Sequence, residues 1–347
     1  MHCHFFIPKP LAKRYKSAVR YLLTLQKATL APALAHWLPD RFETNIATSD
    51  DHCKISTTVV NNYLALMRLD RPVGTLLLLW PTLAALCMAA DGLPPLSLIV
   101  IFTLGTFTMR SAGCVINDYA DRNVDGHVKR TAQRPLATGA ISTGHALWLF
   151  CILILFAGVL ILFLNRATQL LAVGGLALAI LYPFMKRWTH LPQVVLGAAF
   201  SWGIPMAWSA QQIAVPYQAW LMFVASLLWI VAYDTQYAMV DRDDDLKIGV
   251  KSTAILFGDL DRLMIGILQA SAWIGLVLLG IDLGYQHIYY LGMASIAALF
   301  VYQGWLIRKR ERDACFAAFR NNIWVGVSLL SGTLLELLVA AQIACDN

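Results

Sequence analysis

Charge is scarce in this sequence. Asp, Glu, Lys and Arg supply only 14% of its 347 residues, hydrophobic residues supply 58%, and the mean hydropathy is +0.60. Soluble domains carry about 25% charged residues, so this composition excludes an ordinary soluble protein and indicates a polytopic membrane protein. A Cys-x-x-Cys pair is also lacking. The seven cysteines, Cys3, Cys53, Cys87, Cys114, Cys151, Cys315 and Cys345, are scattered, mostly in apolar segments, and read as core thiols. No acid precedes Asp40, and the first sixty residues contain no continuous apolar core of the kind a signal peptide needs. No basic, aromatic-interleaved soluble module accompanies the net charge of +6, which removes nucleic-acid binding as its explanation.

What the chain does have is long apolar runs. A hydrocarbon core about 30 Å thick takes roughly 20 helical residues. Nine windows of about that length are present, at 73–90, 96–116, 145–164, 167–184, 192–210, 217–238, 263–281, 287–306 and 322–343. An all-α, nine-helix membrane bundle is the expected fold class. Lys and Arg fall on one side of it. Ten precede the first window, and the alternate loops 117–144, 185–191, 239–262 and 307–321 carry four, two, four and five, whereas the opposite loops carry Arg166 alone. Positive residues favour the cytoplasmic side, so the N-terminus is expected there and the C-terminus, after nine spans, on the far side.

Two acid-rich stretches stand at the cytoplasmic ends of apolar windows, and charges at membrane depth mark ions or partners. Residues four apart share a helix face, so Asn117, Asp121 and Asp125 are expected as one ladder, with Asp118 beside it. Asp234, Tyr237, Asp241 and Asp245, at i, i+3, i+7 and i+11, form a second. Such carboxylates repel unless a cation lies between them. Mg²⁺ suits them, because it takes oxygen ligands, keeps several waters and is shared with substrate phosphates. Basic residues follow each ladder: Arg122, Lys129, Arg130 and Arg134; Lys186 and Arg187; Lys247 and Lys251. Acids for a metal beside bases for an anion point to a polyphosphate substrate. Arg110, two turns below Asn117, is either a structural charge or a receptor for a substrate carboxylate.

The pattern Asn117-Asp-x-x-Asp121-x-x-x-Asp125 with Asp241-x-x-x-Asp245 resembles the paired aspartate motifs of the UbiA superfamily of intramembrane prenyltransferases. Longer words strengthen the resemblance: RLDRPVGTLLLLWPT at 68–82, GCVINDYADRNVDGHVKRTAQRPLATG at 113–139, YPFMKRWTHLPQVVLG at 182–197 and DTQYAMVDRDDDLKIGVKSTAILFG at 234–258. They are similar to the members that prenylate 4-hydroxybenzoate in bacterial ubiquinone synthesis, and the likeness spans about residues 62–343. It implies a nine-helix bundle around a central cavity, with polyprenyl diphosphate and 4-hydroxybenzoate as substrates and Mg²⁺ as cofactor. It further implies that Asn117, Asp118, Asp121 and Asp125 hold one ion and Asp241 and Asp245 a second. Tyr182 and Lys186 match a Tyr-x-x-x-Lys element that contacts the diphosphate, supplemented by Arg187, Lys129, Arg130 and Arg134. Arg68 and Arg110 are the candidates for the acceptor's carboxylate. The implied location is the bacterial inner membrane, with the active site on its cytoplasmic face and the C-terminus periplasmic.

Residues 1–61 are read as a basic arm, in which Lys9, Lys13, Arg14, Lys16, Arg20 and Lys27 alternate with apolar residues, and 62–347 as the catalytic domain. Two other readings share some of these features. Menaquinone or haem O synthesis would use the same diphosphate machinery with another acceptor. A secondary transporter also holds carboxylates in a helical bundle, but it usually shows internal repeats and places its ion site near the midplane.

Overall fold

The computed structural model describes residues 51–346 except Lys129, and residues 56–342 fold as one compact unit. Residues 1–50 of the expected arm lie outside the described residues. Among those described the regular structure is entirely helical. α1 (Asp51–Leu66) is followed by α2 (Val73–Ala90), α3 (Leu96–Asp121), a 3₁₀ turn (Asp125–His127), α4 (Thr143–Ile161) and α5 (Arg166–Trp188). The second half holds α6 (Pro192–Ser201), α7 (Gly203–Gln212), α8 (Tyr217–Ile248), a short α9 (Thr253–Phe257), α10 (Asp261–Asp282), α11 (His287–Leu306) and α12 (Arg312–Asp346).

Eight of these segments are long and apolar enough to cross a membrane. The ninth expected span, 192–210, is two ten-residue helices, α6 and α7, meeting at Trp202. Pro205 is the physical reason. It has no N–H to offer the Ser201 carbonyl, and its ring crowds that oxygen, so the hydrogen-bond ladder is interrupted there for one residue. Trp202 nevertheless keeps right-handed helical dihedrals, and Pro81 and Pro183 are accommodated inside α2 and α5. Capping fixes the neighbouring ends. The Asn165 side chain accepts from Thr168 N at 3.0 Å to start α5, and the Ser252 hydroxyl accepts from Ile255 N to start α9.

α8 is the pillar of the bundle. The successive residues Trp229, Ile230, Val231, Ala232 and Tyr233 are all buried, so the helix is covered on every side at this level, and it packs along α6 and α10. At 32 residues it is roughly 48 Å long, well over the hydrocarbon thickness, so its acid-rich last turns extend past the apolar layer. An amide network inside the bundle fixes its rotation. Gln303 Oε1 of α11 accepts from Gln236 of α8 at 3.2 Å and Gln269 of α10 at 2.7 Å, and Gln303 Nε2 donates to Asn321 of α12 at 3.0 Å. Asn322 donates to Gln236 and accepts from the Trp229 indole at 2.7 Å. Polar side chains in an apolar bundle need such internal partners, and here they tie four helices together.

Candidate functional site

The ends of α3, α5 and α8 surround one cavity. Asn117 and Asp121 of α3 line it, together with Asp125 from the 3₁₀ turn, Arg130, Thr131 and Arg134 from the following loop, Tyr182 from α5, and Asp234, Tyr237, Asp241 and Asp245 from α8. Gln193 at the start of α6 and Val250, Lys251 and Ser252 beyond α8 close another side. Gly249 makes that closure possible. With φ +73° it adopts the left-handed conformation that ends α8, and its N–H reaches the Asp245 carbonyl, turning the chain back.

The second ladder stands as the spacing predicts, because Asp234, Tyr237, Asp241 and Asp245 all belong to α8 and all face the cavity. The first ladder is corrected. α3 ends at Asp121, and Asp125 reaches the cavity from the separate 3₁₀ turn. The turn is held by Thr131, whose hydroxyl donates to the Asp125 carbonyl at 2.8 Å. Asp118, expected beside the metal set, is not among the lining residues. It is 1% exposed, accepts from Arg68 at 2.9 Å and forms an ion pair at 3.0 Å with Arg134, the cavity residue that also holds Asp125.

Arginine pairs place positive charge among the acids. Arg130 grips Asp241 through Nε and Nη2, and Arg134 bonds both Asp125 oxygens at 2.9 and 3.0 Å. Arg130 also lies over the Tyr237 ring, 4.5 Å from its centroid. Burial pushes the Asp125 carboxyl above its ordinary range; Arg134 pulls it down, while Asp121 and Asp118 add to the rise. An ion placed beside these acids would relieve that repulsion.

The remaining expected residues divide. Arg68 is committed to Asp118 and to the Ala65 carbonyl, so it does not reach the cavity. Arg187 donates to the Ala120 carbonyl at 2.7 Å and is likewise absent from the lining. Lys129 lies outside the described residues, as does the Lys186 side chain, although Lys186 belongs to α5. Arg110, like Arg68 and Arg187, is not among the cavity-lining residues; it lies deeper in the bundle, 5.2 Å over the Phe200 ring, with Tyr182, Tyr233 and Asp234 as electrostatic neighbours. Gly74 makes its room. A Cβ there would stand 2.5 Å from an Arg110 guanidinium nitrogen.

Among the described residues, no three His, Cys, Asp or Glu side chains converge as a metal cage. The donor set still fits Mg²⁺, which is usually held by one or two carboxylates, several waters and substrate phosphate oxygens. Asn117, Asp121 and Asp125 offer such oxygens from one side of the cavity, Asp241 and Asp245 from the other. Thr131 and Gln193 were not singled out from the sequence. Gln193 carried a weak signal as a polar residue opening an apolar run, and Thr131 carried none.

The profile of the UbiA prenyltransferase family matches residues 78–326. The chain is 57% identical over 278 residues to the 4-hydroxybenzoate octaprenyltransferase of Chromohalobacter salexigens, covering 80% of this chain and 93% of that protein. Among solved structures, the apo form of a UbiA homolog from Aeropyrum pernix aligns with a TM-score of 0.68 at 23% identity, over 76% of this chain and 98% of that one. A UbiA homolog from Archaeoglobus fulgidus bound to GPP and Mg²⁺ aligns with a TM-score of 0.62 at 20% identity, over 78% and 99%. At those identities the structural likeness shows the fold.

Proposed function

The chain belongs to the UbiA prenyltransferase family, and we propose that it transfers a polyprenyl group from polyprenyl diphosphate to the ring carbon ortho to the hydroxyl of 4-hydroxybenzoate, releasing diphosphate. One observation carries the reading: two groups of acids from helices far apart in sequence share a single cavity with Arg130, Arg134 and Tyr182. The identity to a protein named 4-hydroxybenzoate octaprenyltransferase supports the acceptor and a tail of eight isoprene units.

Bound Mg²⁺ would neutralise the diphosphate and the charge that grows on it as it leaves. Asn117, Asp121 and Asp125 would hold one ion and Asp241 and Asp245 the other. Arg130 and Arg134 are placed to turn from the carboxylates they hold to the diphosphate oxygens, and Tyr182 to donate its hydroxyl to them. Lys186 and Lys129 complete the basic side of this proposal. Arg110 is our candidate for the acceptor's carboxylate, because it lies beyond the diphosphate end of the cavity and, among the described residues, it makes no ion pair. The apolar walls accommodate the isoprenoid tail and keep water from the allylic cation. We place the protein in the bacterial inner membrane with this cavity on the cytoplasmic side, as the distribution of Lys and Arg supports.

The test is an assay of membranes containing the full chain with Mg²⁺, octaprenyl diphosphate and, separately, 4-hydroxybenzoate, a dihydroxynaphthoate or haem. Prenylated 4-hydroxybenzoate alone supports the proposal; product only with another acceptor, or none where a control enzyme is active, refutes it.

A further inference from the structure

Five carboxylates line the cavity, and four of them belong to the two aspartate motifs. Asp234 is the fifth. It stands seven residues before Asp241 on α8, about 10 Å deeper along the helix axis, which is beyond the reach of an ion held at the helix end. Its carboxylate is partly accessible to the cavity and, among the described residues, takes part in no hydrogen bond or ion pair. The cations acting on it are Arg110 and Arg130, neither of which bonds it. Tyr182 and Tyr237 flank it on the cavity wall. A carboxylate kept at the membrane side of a reaction cavity without a partner is a costly feature unless a substrate uses it.

Building on the function proposed above, we propose that Asp234 is the base that removes the ring proton of the aromatic acceptor. The position fits the order of the groups. The diphosphate lies among the bases at the helix end, the acceptor's carboxylate at Arg110, and the reacting carbon between them, where Asp234 faces the cavity. In the step, the bond between the allylic carbon and the diphosphate oxygen breaks first and the diphosphate leaves with that electron pair; π electrons of the ring then form the new C–C bond to the allylic cation. The ring is left as a cation with an sp³ carbon. Asp234 accepts the proton from that carbon, and the C–H electron pair restores the aromatic ring. The resulting carboxylic acid returns its proton to water when product leaves. Asp241 and Asp125 are paired with Arg130 and Arg134 here and would hold metal in the loaded enzyme, so neither is left for this task.

The experiment compares wild type, Asp234→Asn and Asp234→Glu in membranes, using 4-hydroxybenzoate and its ring-3,5-dideuterated form. In wild type the isotope effect on kcat is expected near unity, with ionisation limiting. In Asp234→Asn, kcat should fall by about 10²- to 10⁴-fold, the usual contribution of a positioned base. Its isotope effect should rise well above unity, with little change in KM for either substrate, while diphosphate release by hydrolysis of the donor persists. If Asp234→Asn does not insert, Asp234→Ser, which likewise removes the carboxylate, decides: a lowered rate with a raised isotope effect supports the base, and a rate within twofold of wild type with a unit isotope effect overturns it, while Asp234→Glu, which keeps a carboxylate, should retain turnover. A large loss of kcat at unit isotope effect, or a rise only in KM for the acceptor, assigns Asp234 to charge balance with Arg110 and refutes the proposal. If wild type itself forms no prenylated hydroxybenzoate, the function proposed above fails, a result distinct from these.

Discussion

Arg130 and Asp241 are 111 residues apart in sequence, yet the guanidinium of one is hydrogen-bonded through two nitrogens to the carboxylate of the other. The pair joins the loop after the first aspartate motif to the helix that carries the second. It lines the cavity, where an incoming diphosphate would compete with Asp241 for the same guanidinium.

That exchange predicts the behaviour of Arg130→Gln. A hydrogen bond to a charged group is worth about 1.5–3 kcal/mol, so kcat/KM for polyprenyl diphosphate should fall by roughly 10- to 150-fold, with KM for the aromatic acceptor little changed. Arg130→Lys should recover only part of the loss, because an ammonium offers a point charge where the guanidinium offers a fork. Steady-state kinetics with each substrate varied in turn checks both.

The Arg110 assignment rests on its lack of an ion-pair partner and on the space left by Gly74. Arg110→Gln should raise KM for 4-hydroxybenzoate by about 10- to 100-fold through loss of a charged hydrogen bond, leaving KM for the diphosphate unchanged. Gly74→Val should act in the same direction by displacing the guanidinium. If both constants rise together in Arg110→Gln, Arg110 serves the cavity as a whole and does not receive the acceptor.

The amide network predicts a stability effect remote from the chemistry. Gln303→Leu removes the acceptor for Gln236 and Gln269 and the donor to Asn321. Leaving buried amides unpaired costs about 1–3 kcal/mol each, so thermal unfolding in detergent should shift down by several degrees. Gln303→Glu keeps an acceptor oxygen for Gln236 and Gln269 but loses the donor to Asn321, so it should also unfold at a lower temperature than wild type.

Most of the fold was legible because lipid leaves few options. Eight of the nine apolar windows correspond to single helices. The break at Trp202 was written in Pro205, but hydropathy cannot see a missing N–H. The second ladder was legible because α8 stays helical well past the apolar layer, so periodicity holds from Asp234 to Asp245. The first failed at Asp125 because α3 ends at Asp121, and a helical period cannot be carried through a 3₁₀ turn. The pairing of Asp118 with Arg68 was hidden for a related reason. Sequence shows that opposite charges are present, but it takes the fold to show that they bind each other at 2.9 Å.

The central claim is that the two acid groups form one metal-dependent diphosphate site. The most direct measurement is binding of octaprenyl diphosphate to the purified chain, with Mg²⁺ and with EDTA, for wild type, Asp121→Ala and Asp241→Ala. Binding should require Mg²⁺ and should be lost in each variant although each remains inserted and folded. Tight binding in EDTA, or wild-type binding in either variant, would contradict it.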